Sequence, residues 1–101
     1  MTFIHTVIVK FSRQLSVAES GDLVRACLAM KSEISCIKQI KCGCDLGVNG
    51  PPRMSYSLTA EFDSIDDYKV YAGHLVHLEF IQRYLKPFLL DGGRTAIQYE
   101  I

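Results

Sequence analysis

What this sequence does not contain narrows its chemistry before any motif is read. Acidic and basic side chains balance at eleven each, so no electrostatic footprint is present for a nucleic acid or an anionic membrane. No apolar run approaches the roughly 18 residues that a membrane span needs. A Gly-rich phosphate loop is missing, which argues against phosphoryl transfer. So is GxSxG, which argues against a serine hydrolase. No secretory leader is legible, because the apolar run of "MTFIHTVIVKF" ends at Lys10. We therefore expect a cytoplasmic protein with its four cysteines, Cys27, Cys36, Cys42 and Cys44, reduced. "KCGCD" is a CxC with no second pair at zinc spacing, so small buried side chains are the simpler reading. No repeat, low-complexity tract or long linker interrupts the chain.

What is present reads as one domain over residues 1–101, with 49% hydrophobic and 22% charged residues. "FIHTVIVKF" (3–11) is β-branched and aromatic, a strand with Phe3, His5, Val7, Val9 and Phe11 on one face. "SVAESGDLVRACLAMKSEI" (16–34) is helical. Ser16 and Glu19 form a capping box, and Leu23, Cys27, Met30 and Ile34 make one apolar stripe. Gly21 weakens its first turn and points to a later start, near Ser20. Residues 36–46 return to strand character, and 47–54, rich in Gly and Pro, form a loop. "SYSLTAEF" (55–62) alternates cleanly. Residues 63–90 are helical with a break near Gly73 and an end at Pro87. There His74, His77, Leu78, Ile81, Leu85 and Phe88 share a stripe. "DGG" is a turn and residues 94–101 a last strand.

The order β-α-β-β-α-β predicts a ferredoxin-like α+β fold, a four-stranded antiparallel sheet with helices on one face. The other face would be bare, with Ile4, Ile8, Ile97 and Tyr99 as its apolar residues. An exposed patch of that kind usually finds a partner, and a homodimer through the sheets is the simplest closure.

His74 and His77 lie three apart on one side of a helix, and His5 faces the helices from the first strand. No carboxylate completes a ligand set, so neither a metal nor a cofactor is expected. Tyr71 and Tyr56 reach toward the same interior. His5, Tyr56, Tyr71 and His77 among apolar walls make a small-molecule pocket. Histidine exchanges a proton near neutrality, and tyrosine orients it or donates to a developing oxyanion. That set suits proton abstraction beside a carbonyl. Cys27, on the inner helix stripe, reads mainly as a core residue.

"IHTVIVKF" (4–11), "YKVYAGHLVHLEF" (68–80) and "YLKPFL" (84–89) resemble the stress-responsive A/B barrel domain family, Dabb. That family has an H-x-V-x-x-K-F strand, an H-P-x-H-x-x-F helix start and a following L-K-P. The resemblance spans the whole chain and implies a protomer that pairs into a dimeric α+β barrel. Its members include stress proteins of unclear chemistry and a polyketide cyclase that forms olivetolic acid by an aldol condensation. In that enzyme a motif histidine is the base and a tyrosine six residues earlier assists it. The resemblance thus assigns these roles to His77 and Tyr71, with His5 as a pocket histidine. Leu75 stands where the family has proline, Cys27 where that cyclase has a second pocket tyrosine, and Tyr56 where it has a pocket histidine. The implied site has His77, Tyr71 and His5 as catalytic residues, with Tyr56, Cys27, His74 and Ile81 around a small apolar or carbonyl-containing ligand. The activity class is a cyclase, lyase or isomerase. The alternatives are a non-catalytic stress or ligand-binding protein and, less favoured for want of tryptophan, a cofactor-free monooxygenase.

Overall fold

The computed structural model describes residues 1–101. Its elements are β1 (Phe3–Phe11), α1 (Val17–Glu33), β2 (Gln39–Cys44), β3 (Ser55–Phe62), α2 (Ile65–Gly73), α3 (Leu75–Phe80) and β4 (Leu89–Glu100). One π-helical turn (Ile81–Leu85) and one 3-10 turn (Lys86–Phe88) join α3 to β4. The sheet order is β2-β3-β1-β4 with every pair antiparallel. The fold is the expected ferredoxin-like α+β arrangement.

Alternation in β1 and β3 does what the sequence implies. Phe3, His5, Val7, Val9 and Phe11 of β1 are buried, as are Tyr56, Leu58, Ala60 and Phe62 of β3. From α1, Leu23, Cys27 and Met30 cover them, and Ile34 seals the helix end. Each fully buried aliphatic or aromatic side chain contributes about 1.5–3 kcal/mol.

Four expectations change. First, α1 begins at Val17, not near Ser20. The Ser16 hydroxyl accepts from the Glu19 amide at 3.0 Å and the Glu19 carboxylate accepts from the Ser16 amide at 2.9 Å. This reciprocal cap outweighs the cost of Gly21. Second, β2 is shorter than 36–46, because residues 34–38 turn: the Ile37 amide donates to the Ile34 carbonyl before Lys38 reaches Glu61 on β3. Third, β4 starts at Leu89 instead of 94. Leu89 pairs with Phe11, and the register shifts between Val9 and Phe11. "DGG" is an irregularity inside that strand: Gly92 has φ +70°, and Gly93 lies too close to the Lys10 and Leu90 carbonyls for any side chain.

Fourth, the outer face of the sheet is apolar along β1 and β4 only. Ile8, Ile97 and Tyr99 are about half exposed, but Ile4 is buried. Ile4 sits on a central strand between Glu61 and Tyr99 in register, whose larger side chains flank it. No helix is long and apolar enough to cross a membrane.

Candidate active site

The site begins with a helix break. Where α2 stops at Gly73, its last carbonyls lose their helical partners. His74 takes an extended backbone (φ −71°, ψ 139°) and caps α3, its Nδ1 accepting from the Val76 amide at 3.1 Å. The Ala72 carbonyl is met by the next helix: His77 Nδ1 lies 3.0 Å from it. A carbonyl only accepts, so Nδ1 carries the ring proton and Nε2 keeps its lone pair. The break that sequence places at Gly73 therefore sets the tautomer of His77.

A cavity of about 210 Å³ opens between the sheet and this helical segment. His5, Tyr71 and His77 line it, with Val7, Val9, Tyr56 and Leu58 from the sheet and Phe80, Ile81 and Leu85 from the helices. The Tyr71 ring stands against the others. Its centroid is 4.2 Å from that of His77 and 6.1 Å from that of His5. Gln98, paired with His5 across the β1–β4 ladder, brings its amide nitrogen to 2.9 Å from His5 Nδ1. An amide nitrogen only donates, so Nδ1 accepts and the His5 proton sits on Nε2. The Tyr68 ring packs 4.8 Å from His5 and holds its plane.

Three polar atoms are left free: His77 Nε2, His5 Nε2–H and the Tyr71 hydroxyl. None makes a hydrogen bond within the chain, and none is sealed from solvent. One offers a lone pair and the other two offer protons. Burial pulls His5 down from 6.5 to about 4, with the Arg94 and His77 charges adding to it. Burial also lowers His77, against the Ala72 hydrogen bond and with help from Arg94 and His74. Both imidazoles are therefore neutral at pH 7. The Tyr71 hydroxyl is pushed up, first by burial and then by Cys27 and Tyr68, so it stays protonated.

Of the residues expected around the ligand, Tyr56 and Ile81 line the cavity and His74 and Cys27 do not. His74 is held by its capping bond. Cys27 lies behind Tyr56, whose hydroxyl donates to Cys27 Sγ at 3.0 Å and so points away from the ligand space. Leu78, expected on the inner stripe, is 46% exposed, while Phe80 is buried and lines the cavity. The break at His74 and the π turn put the segment out of phase with a continuous 3.6-residue helix.

Sequence reasoning missed Lys86, Leu89 and Arg94, which complete the cavity wall, and Gln98 behind His5. The signal for two of them is strand parity. Arg94 and Gln98 fall on the same face of β4 as Ala96, opposite Val9 and His5. No group of three or more His, Cys, Asp or Glu side chains converges at metal-binding distance.

Comparison with known proteins agrees with this architecture. A dimeric ferredoxin-like protein of unknown function from Bacteroides fragilis superposes with a TM-score of 0.78 at 25% identity, covering 99% of this chain and 96% of that one. A dimeric ferredoxin-like protein from Thermobifida fusca gives 0.82 at 22%, covering 100% and 92%. The hydroxynitrile lyase of Passiflora edulis gives 0.77 at 20%, covering 99% and 93%. No curated protein matches the chain. The family model "Stress responsive A/B Barrel Domain" matches residues 3–101, nearly the whole length, and the chain belongs to that family, Dabb.

Proposed function

We propose that the protein is a homodimer in which each protomer binds a small carbonyl compound and moves a proton beside the carbonyl. His77 Nε2 is the base. Tyr71 and His5 donate to the oxygen as negative charge gathers on it. The reaction class is that of a cyclase, lyase or isomerase. One observation carries this reading: the Ala72 carbonyl takes the Nδ1 proton of His77, leaving an unpartnered Nε2 lone pair in an apolar cavity beside two free donors.

The energetics favour the same division of roles. A neutral imidazole accepts a proton, whereas an imidazolium does not. Preorganised donors in a water-poor cavity stabilise an oxyanion far better than solvent-exposed ones. Tyr71 and His5 hold their protons through the whole neutral range, so they donate without themselves ionising. That a lyase is built on a similar fold supports such chemistry here. The exposed Ile8, Ile97 and Tyr99 on the outer face support self-association, as do the dimers formed by similar folds.

The test is exchange of the acidic C–H protons of ethyl butyrylacetate in deuterated buffer, followed by NMR. Wild type is expected to accelerate exchange over buffer, and His77→Gln to abolish the acceleration while keeping the thermal midpoint. Equal acceleration by both proteins would remove His77 from the mechanism.

A further inference from the structure

We propose that Lys86 and Arg94 form an anion-binding subsite on the wall of the cavity, so that its ligand carries an ionised carboxylate or phosphate as well as an apolar body. This rests on the pocket reading above and adds the ligand's charge to it.

Thirteen residues line the cavity, and the only formal charges among them are the ammonium of Lys86 and the guanidinium of Arg94. No aspartate or glutamate lines it. Neither cation is in an ion pair: the three salt bridges use Arg13, Arg25 and Lys38. Neither makes a side-chain hydrogen bond or sits over an aromatic ring, in contrast to Arg13 and Arg83. The chain has eleven carboxylates to match eleven cations, yet none is placed here.

Backbone register makes this more than a chance pairing of surface residues. Arg94 lies opposite Val9, on the helix-facing side of β4, a side that sheet packing normally gives to apolar residues. Lys86 comes from the 3-10 turn that precedes β4 and lines the same cavity. Two separate elements thus bring like charges to one small cavity, where they repel until an anion joins them.

The chemistry also fits proton removal. The charge of Arg94 reaches His5 and His77 and disfavours their protonated forms, which keeps the base free. An anionic substrate resists losing a further proton, because charge accumulates. Two cations beside it offset that resistance. A ligand with a carbonyl and an acidic group, such as a keto acid or a phosphorylated ketone, would satisfy the donors, the base and the cations together. At about 210 Å³ the cavity suits a small molecule or one end of a larger one.

The experiment is isothermal titration of the full-length protein at pH 7.5 with octanoate, octyl phosphate and octanamide. At least one anion is expected to bind roughly tenfold tighter than the amide, as a charge-assisted contact provides. The tighter of the two anions identifies the group. The preference is expected to shrink with added salt and to vanish in the Lys86→Gln/Arg94→Gln double variant, with octanamide affinity unchanged. Both residues are exposed, so circular dichroism should show the same fold. Arg94→Lys should keep part of the preference. Equal binding of all three ligands to wild type, or a preference that survives in the double variant, overturns the subsite while leaving the pocket intact. Binding of none overturns both. Anion preference without exchange catalysis supports the subsite and removes only the proton-transfer reading.

Discussion

Replacing His5 by glutamine should flatten the acid side of the stability curve. His5 is 2% exposed, accepts from Gln98 and packs against Tyr68 and Tyr71. Its pKa falls from 6.5 to about 4, for want of solvation first and then because Arg94 and His77 lie near. The unfolded chain therefore takes up a proton below pH 6.5 that the folded chain refuses down to about 4. Stability from this group is complete above 6.5 and is lost as pH falls toward 4. Linkage gives about 2 kcal/mol lost at pH 5 relative to pH 8. Salt screens the share due to neighbouring charges, which leaves about 1–2 kcal/mol. The assay is urea denaturation of both proteins at pH 8 and pH 5, at one protein concentration so that self-association does not intrude. The glutamine variant starts less stable at both values, since it loses ring packing. Only the difference between the two pH-induced losses is read. His77 titrates in both proteins and cancels. Parallel losses in wild type and variant would refute the reasoning.

Tyr71→Phe removes a hydroxyl that has no partner in the chain. Its unfolding free energy should stay within about 1 kcal/mol of wild type, while catalysed exchange falls roughly 10–100-fold. The pH profile of that exchange should fall on the acid side only below 6.5, because His77 titrates lower than an ordinary histidine, and should stay level through pH 9, because Tyr71 titrates above its usual 10. Gly93→Ala places a Cβ 2.7 Å from the Lys10 carbonyl and 2.8 Å from that of Leu90. Both are backbone and cannot swing aside, so chemical denaturation should show a loss of about 2 kcal/mol or more. Ile97→Glu puts a charge on the exposed outer face and should convert a dimer to monomers in sedimentation velocity.

The strands carrying His5 and Tyr56 were legible because a period of two admits little else when every second residue is large and apolar. α1 was legible through its cap and stripe, although Gly21 misled about its start. Residues 36–38 were not. Their apolar content serves a turn as well as a strand, and only the pairing of Lys38 with Glu61 decides between them. The end of the long helical segment was also hidden. Leu89 and Leu90 continue an apolar pattern that looks helical, and their pairing with β1 depends on a register shift that no local signal announces. His77, Tyr71 and His5 were readable as neighbours from the helix break, strand parity and family resemblance. The tautomers were not, since each depends on one partner atom, the Ala72 carbonyl or the Gln98 amide. Arg94 escaped although its strand parity was readable, because a charged side chain is ordinarily read as solvent-facing. Lys86 escaped because it sits just beyond an irregular helix.

The π turn at 81–85 bears on how this cavity tolerates changes in chain length. Such a turn is an ordinary helix with one residue too many. Deleting Gln82, whose side chain takes no part in the wall, would let the segment close as a regular helix. The residues on either side would keep their places, because the wide turn is what absorbs the extra residue. Leu85 and Lys86 would therefore stay on the wall. The same loss inside the regular helix α3 would turn everything after it by about 100° and carry both off. The rim of the cavity thus tolerates a single-codon loss at this turn better than one in the helix beside it.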